Sequence, residues 1–329
     1  MPESETGNLM TARGTTLILD WAAWDTTLRQ RAEFTRGDEV PVRWNALLDR
    51  LVEGRVVRAS KAQPWLRGIH VTSHLFPTTI LAALLRRPMV YLCWGSAYHR
   101  GVRRAIVRMI LRRARIVLVN EHRTADEVRS MAGVEPRKVP YLVDTDFYPC
   151  APARERVDFL FCPGANDRDG EMLVALAERG HRVVWLNNVR ELSARFAGRS
   201  ERLELVSAVS FGELRDLYRC CRAVVTPLTR DIHAAGQTTT LEALASGCAV
   251  VIGAGRTADL FAGDGLVSVV AGNDPAAWEA AIASAVTADE TRPEAPAERA
   301  GFIASRHGVA AVSAVIAEVI GFVVKSQRG

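Results

Sequence analysis

Short apolar runs recur along this chain, and most are followed by a segment with the spacing of an amphipathic helix. The runs are Thr15 to Trp21, Arg55 to Ser60, Ile69 to Ser73, Pro88 to Ser96, Arg115 to Asn120, Val157 to Cys162, His181 to Asn188, Leu203 to Val209, Ala223 to Leu228, Ala249 to Ile252 and Leu266 to Ala271. A strand covered on both faces reads as a continuous apolar run, and parallel neighbours need a long, usually helical, crossover. The pattern therefore predicts α/β architecture with doubly wound parallel sheets. With 329 residues, 48% of them hydrophobic, the chain can fill two cores. We expect domains at 1–150 and 151–307, with 308–329 a terminal helix that can cross back to the first domain.

The stretch Gly236 to Gly255, GQTTTLEALASGCAVVIGAG, is the most informative about chemistry. Gly236, Gln237 and Thr238 read as a turn, Thr239 to Ser246 as a short helix, Gly247 as its left-handed stop, and Ala249 to Ile252 as a buried strand. A helix start carries free N–H groups and partial positive charge, and Gly236 leaves room for an anion such as phosphate to approach. Glu242, about one turn in, is a candidate acceptor for the vicinal hydroxyls of a sugar attached to that phosphate. Read plainly, the threonines cap the helix and Glu242 is a solvated first-turn acid.

A glycine, small polar residues, LEA, a small residue and a glycine ahead of a VV strand resemble the donor-binding signature of family 4 of the GT-B glycosyltransferases. The resemblance implies two Rossmann-like domains facing a cleft, a nucleotide-diphosphate sugar as donor, no metal or other cofactor, and transfer with retention to a small-molecule or lipid-linked acceptor. It extends to Lys138 to Asp144 followed by TDFYP, similar to the NGVDTxxFxP segment that ends the first domain, and to PGANDRDG after the strand at 157–162. In the latter, Gly164, Asn166 and Arg168 stand near the family's diphosphate-holding residues. Donor binding is thereby carried to Gly164, Asn166, Arg168, Gly236, Gln237, Thr238, Thr239 and Glu242, and the catalytic roles to Arg168 and Glu242. Two departures stand out. Trp94, ahead of Gly95 and Ser96, takes the place of the family's histidine, with His99 and His74 nearby in sequence. The first of two family glutamates falls near Ala234, leaving Asp231 and His233 as candidates for the donor sugar.

Charge is uneven. Residues 1–150 hold 23 Lys and Arg against 15 Asp and Glu, and the remainder 19 against 22. Between Arg100 and Arg115 seven arginines surround Val102, Ile106, Met109 and Ile110 at helical spacing. Such a helix is either a sheet-covering element with a solvated basic face or a contact to an anionic membrane surface. No aromatic interleaving supports nucleic acid. The six cysteines form no CxxC pair and read as reduced thiols of a cytoplasmic protein. In the docking case the protein is peripheral at the inner face of the membrane. The polar opening residues lack a signal pattern, and Val309 to Val324 is shorter than a span and reads as a packed helix.

Two rival functions follow from the same residues. Gly253-Ala-Gly255-Arg-Thr-Ala258 fits the GxGxxA fingerprint of NAD(P)- or FAD-binding oxidoreductases, with Asp274 about twenty residues on. The absent first glutamate and Trp94 also fit a nucleotide-sugar binder without ordinary transfer.

Overall fold

The computed structural model describes residues 17–19, 41, 47, 56–58, 68–73, 75, 77–94, 99–231 and 234–328. Two compact units emerge. The first includes Arg43–Leu142 and Ala310–Gly329, and the second includes Val143–Val309.

The second unit holds a six-stranded sheet of β7 (Val157–Pro163), β8 (Val183–Leu186), β9 (Leu203–Val206), β10 (Cys221–Thr226), β11 (Ala249–Gly253) and β12 (Ser268–Val270). Every pairing is parallel and the order is β12-β11-β10-β7-β8-β9. This is the Rossmann order, in which the chain winds outward from β7 on one side, then returns to its other side at β10. The helices between strands are α4 (Gly170–Glu178), α5 (Arg190–Phe196), α6 (Phe211–Cys220), α7 (Gln237–Ala245) and α8 (Arg256–Phe261), followed by α9 (Pro275–Thr291) and α10 (Ala295–His307). Leu173 of α4, Trp185, Val225 and Val251 of the sheet, and Trp278 and Ile282 of α9 fill one core. Helix ends are written into the sequence: Asp169 accepts from the Glu171 and Met172 amides, Ser210 and Glu213 form a capping box, and Asp274 caps α9.

The first unit carries β1 (Leu17–Leu19), β2 (Val56–Arg58), β3 (Ile69–Thr72), β4 (Met89–Cys93), β5 (Ile116–Val119) and β6 (Arg137–Lys138), parallel in the order β2-β1-β3-β4-β5-β6. Its described connecting helices are α1 (Pro77–Leu84), α2 (Gly101–Arg113) and α3 (His122–Ala132). The segment 25–53, which reads from its sequence as a polar helical region, falls almost wholly outside the described residues. In α2 the buried stripe is Val107, Ile110 and Leu111, with Ile106 and Met109 half-buried. Val102, assigned to the apolar set from sequence, is exposed. At about 100° per residue it lies well round the helix from that stripe.

The chain's last helix, α11 (Val309–Arg328), follows α10, and Ala310 onward falls in the first unit. Val312, Ile316, Val319, Ile320 and Val323 are buried along one side, and Glu318 meets Arg137 of β6 at 2.6 Å. Ala295–Lys325 has the length and hydropathy of a membrane span, but this buried stripe marks α11 as a packed helix.

Candidate anion-binding site

In open α/β sheets, ligands bind beyond the carboxyl ends of the strands where the winding direction reverses. In the second unit that place lies between β7 and β10. The loops leaving these two strands are laced together: Arg168 bridges Leu228, the Asp169 amide donates to Pro227 O at 3.0 Å, and the Thr229 amide donates to Asp167 O at 2.9 Å. Trp185 fixes the first loop by donating its indole N–H to Gly164 O at 2.9 Å.

Arg168 is buried within this lacing. Its guanidinium donates to Pro163 O at 2.8 and 3.2 Å, to Asn166 O at 3.0 Å and to Thr239 Oγ1 at 3.3 Å. Every one of these partners is a neutral oxygen. Neither neighbouring aspartate takes it up by an ion pair within 4 Å, and Asp169 instead caps α4 and accepts from Asn273 Nδ2 at 2.9 Å. Among the described residues no carboxylate pairs with this buried guanidinium, and such a cation favours an anion beside it.

The start of α7 adds to that field. Gly236 has a left-handed backbone, φ 85°, and the helix begins at Gln237, two residues earlier than the sequence reading placed it. The Gln237 amide donates to Ala234 O, so Thr238 and Thr239 contribute the first-turn amides that no helical carbonyl reaches. A β-carbon on Gly236 would stand 2.9 Å from Thr226 Cγ2 and 3.5 Å from the Arg168 guanidinium. Glycine suits this φ and avoids the clash with Thr226, and the Arg168 guanidinium lies at ordinary contact distance from the helix start. Gly164, Gly236, Thr238 and Thr239 are partly exposed and Asn166 is exposed, so the corner opens to solvent. Gln237 is buried.

Glu242 lies deeper. Its carboxylate is 3% exposed and accepts from the Tyr148 hydroxyl at 3.1 Å and the Tyr218 hydroxyl at 3.0 Å. Burial, then the Glu242 charge, push the Tyr218 phenol well above its ordinary range, so it remains a donor. The solvated first-turn acid of the plain reading is not what forms. These tyrosines are 94 and 24 residues away in sequence, and no local pattern announces them.

Asp231 is exposed and accepts from the Arg256 amide at 2.7 Å, capping α8 directly after Gly253-Ala-Gly255. A carboxylate therefore occupies the place where a dinucleotide pyrophosphate would sit. Moreover, β11 is the fifth strand of its unit in chain order, whereas a Rossmann fingerprint follows the first. Both observations weigh against the oxidoreductase reading.

In the first unit, Trp94 follows β4 and packs edge-on to Tyr141 with centroids 5.3 Å apart. His99 precedes α2, and partial burial together with the Arg103 charge lowers its pKa. Gly95, Ser96, His74 and His233 lie outside the described residues.

No protein-family model matches the sequence, and no curated protein matches it either. Solved structures do. A sucrose-phosphate synthase from Thermosynechococcus elongatus superposes with a TM-score of 0.69 at 13% identity, covering 95% of this chain and 100% of that one. Anabaena HepE, solved with UDP and glucose, gives 0.68 at 13% identity over 93% and 99%. A glycosyltransferase from Rickettsia africae gives 0.65 at 10% over 94% and 90%. The chain therefore has the GT-B fold, with two Rossmann-like parallel sheets, as the sequence resemblance implied.

Proposed function

We propose that this chain transfers a sugar from a nucleotide-diphosphate sugar to an acceptor, with retention at the anomeric carbon. The observation that carries the reading is Arg168: a buried guanidinium with neutral partners only, set against the amide-bearing start of α7 at the switch point of a Rossmann sheet. When the bond from the anomeric carbon to the diphosphate breaks, negative charge grows on the departing phosphate. Arg168 and the Thr238 and Thr239 amides are held ready to receive it, and such preorganised donors stabilise developing charge without reorganising. A planar guanidinium also suits phosphate oxygens geometrically. Calorimetry against a panel of nucleotide diphosphates, beginning with UDP because HepE was solved with it, tests the reading. Binding that disappears in Arg168→Ala supports it, and a panel without a binder overturns it.

A nucleotide-sugar binder that does not transfer is the second reading, favoured by Ala234 where the resembled family has its first glutamate. Donor hydrolysis and transfer assays on the protein that binds the nucleotide separate the two.

The acceptor side carries a membrane proposal. Arg103, Arg104 and Arg108 are exposed on α2, and no carboxylate lies within 4 Å of them among the described residues. Arg112 and Arg113 instead hold carbonyls of the adjoining helices, Ala132 O at 3.1 Å and Ala83 O at 2.9 Å. Leu84 and Leu85 at the end of α1 are about half exposed. Exposed arginines on one helix and exposed leucines at the end of the helix packed against it suit an anionic lipid surface and a lipid-linked acceptor.

A further inference from the structure

The far end of α7 carries a cluster that the transfer chemistry does not use. Gly247 ends the helix with φ 72°, Cys248 follows it, and Cys221 opens the adjacent strand β10. The two sulfurs are 3.9 Å apart and both residues are fully buried. Arg156 lies against them, donating to Cys248 Sγ at 3.2 Å, to the Tyr218 and Cys221 carbonyls at 3.1 Å each, to Ser246 O at 2.9 Å and to Ala151 O at 3.0 Å. No carboxylate lies within 4 Å of this guanidinium among the described residues, so the Cys248 sulfur is the closest group able to neutralise it. Burial opposes ionisation of Cys248, but the Cys221 thiol hydrogen bond and the Arg156 and Arg299 charges outweigh it and bring the thiol down to about 7. Exposed Cys150 sits over Gly247, the residue before Cys248, where a β-carbon would stand 2.6 Å from its sulfur.

We infer that Cys221 and Cys248 form a redox site that hydrogen peroxide oxidises to a disulfide, and that this bond regulates the helix bearing the proposed diphosphate site. The Cys248 thiolate attacks the peroxide, breaking its O–O bond to give a sulfenic acid and hydroxide, which takes up a proton to leave as water. The Cys221 sulfur then displaces the sulfenic hydroxyl, which leaves as a second water after taking the Cys221 proton. Two thiols and one peroxide thus become one disulfide and two waters, with the sulfurs giving up two electrons. A thiolate beside a guanidinium is the reactive form, and the sulfurs close from 3.9 Å to about 2 Å. The bond leaves Arg156 without an ionisable sulfur beside it. It also pulls the residue after the α7 stop toward β10, which shifts the helix whose other end faces Arg168. This regulatory half rests on the donor-site reading, and the disulfide itself does not.

The experiment treats the reduced full chain with hydrogen peroxide in a Cys220→Ser background, then maps free thiols by differential alkylation and mass spectrometry. Expected is a reductant-reversible Cys221–Cys248 linkage, with UDP affinity by calorimetry falling severalfold and recovering on reduction. In Cys221→Ala the linkage is lost and a dione probe traps sulfenic acid at Cys248; Cys221→Ser serves if that variant does not fold. Cys221 and Cys248 both remaining alkylatable while Cys150 oxidises overturns the site, as does over-oxidation of Cys248 without pairing. A disulfide that leaves UDP affinity unchanged overturns the regulation. If UDP does not bind even when reduced, the donor reading fails and the regulation with it, while the thiol map still decides the redox site.

Discussion

Arg168 and Gly236 meet across the carboxyl ends of β7 and β10, the guanidinium nitrogens 3.5 and 3.6 Å from where a glycine-236 β-carbon would stand. The first donates from a loop of the strand that begins the unit, and the second starts a helix 68 positions later, so the sheet topology alone brings them together.

Charge and fork shape at Arg168 can be separated. Arg168→Lys keeps the charge but loses the paired donors, and should weaken nucleotide-diphosphate binding roughly tenfold. Arg168→Ala loses both and should weaken it on the order of a hundredfold, since hydrogen bonds to charged groups contribute about 1.5–3 kcal/mol. Calorimetry gives both values. Equal affinities in all three proteins would remove Arg168 from the site.

Gly236→Ala tests the cradle rather than the charge. An alanine at φ 85° costs about 1–2 kcal/mol for the left-handed backbone alone, and its methyl meets Thr226 Cγ2 at 2.9 Å. Urea unfolding should show that loss together with loss of nucleotide binding. Binding that survives at wild-type strength would mean the ligand does not approach the helix start.

Sequence legibility tracked distance along the chain. Ala249 to Ile252 and Gly247 as a left-handed stop were readable because each depends on a few consecutive residues, and the structure has β11 at Ala249–Gly253 and φ 72° at Gly247. The parallel, doubly wound character of the second sheet followed from strands alternating with helices, whereas its strand order is a finding of the structure. What the sequence withheld are contacts made through space: the Tyr148 and Tyr218 hydroxyls on Glu242, the Asp231 cap on α8, and Arg156 beside two cysteines 27 residues apart. No periodicity encodes these, because each partner comes from a different crossover. Val102 was misassigned for a related reason: apolar character places a residue on a helix, but the packing neighbours decide which face is inside.

The basic helix makes a salt-dependent prediction. The protein should sediment with phosphatidylserine-rich vesicles at low ionic strength and be released as salt rises, because the attraction falls off within a Debye length of about 8–10 Å. Replacing Arg104 and Arg108 together by alanine should weaken binding roughly tenfold or more, at about 1 kcal/mol per arginine near such a surface. Leu84→Ser should weaken it at high salt as well, because an apolar contact is not screened. Identical sedimentation of all variants would assign the arginines to a merely solvated face.

Glu242 is where the family resemblance and the packing make opposite demands. A ribose contact needs an accessible carboxylate, yet at 3% exposure both oxygens already accept tyrosine hydroxyls. Both oxygens are thus engaged, and a ribose would compete with Tyr148 or Tyr218 for them. Tyr148→Phe removes one competitor while keeping the ring that packs edge-on to Phe147 and Tyr218. If Glu242 serves the ribose, this variant should bind UDP more tightly than wild type while losing about 1–3 kcal/mol of stability, and Glu242→Gln should reverse the gain. If Glu242 is a brace for α7, Tyr148→Phe loses the same stability and gains no affinity. A deoxyribose analogue of the nucleotide completes the test: its affinity equals that of the ribose form in the brace case and falls below it when the carboxylate holds the sugar.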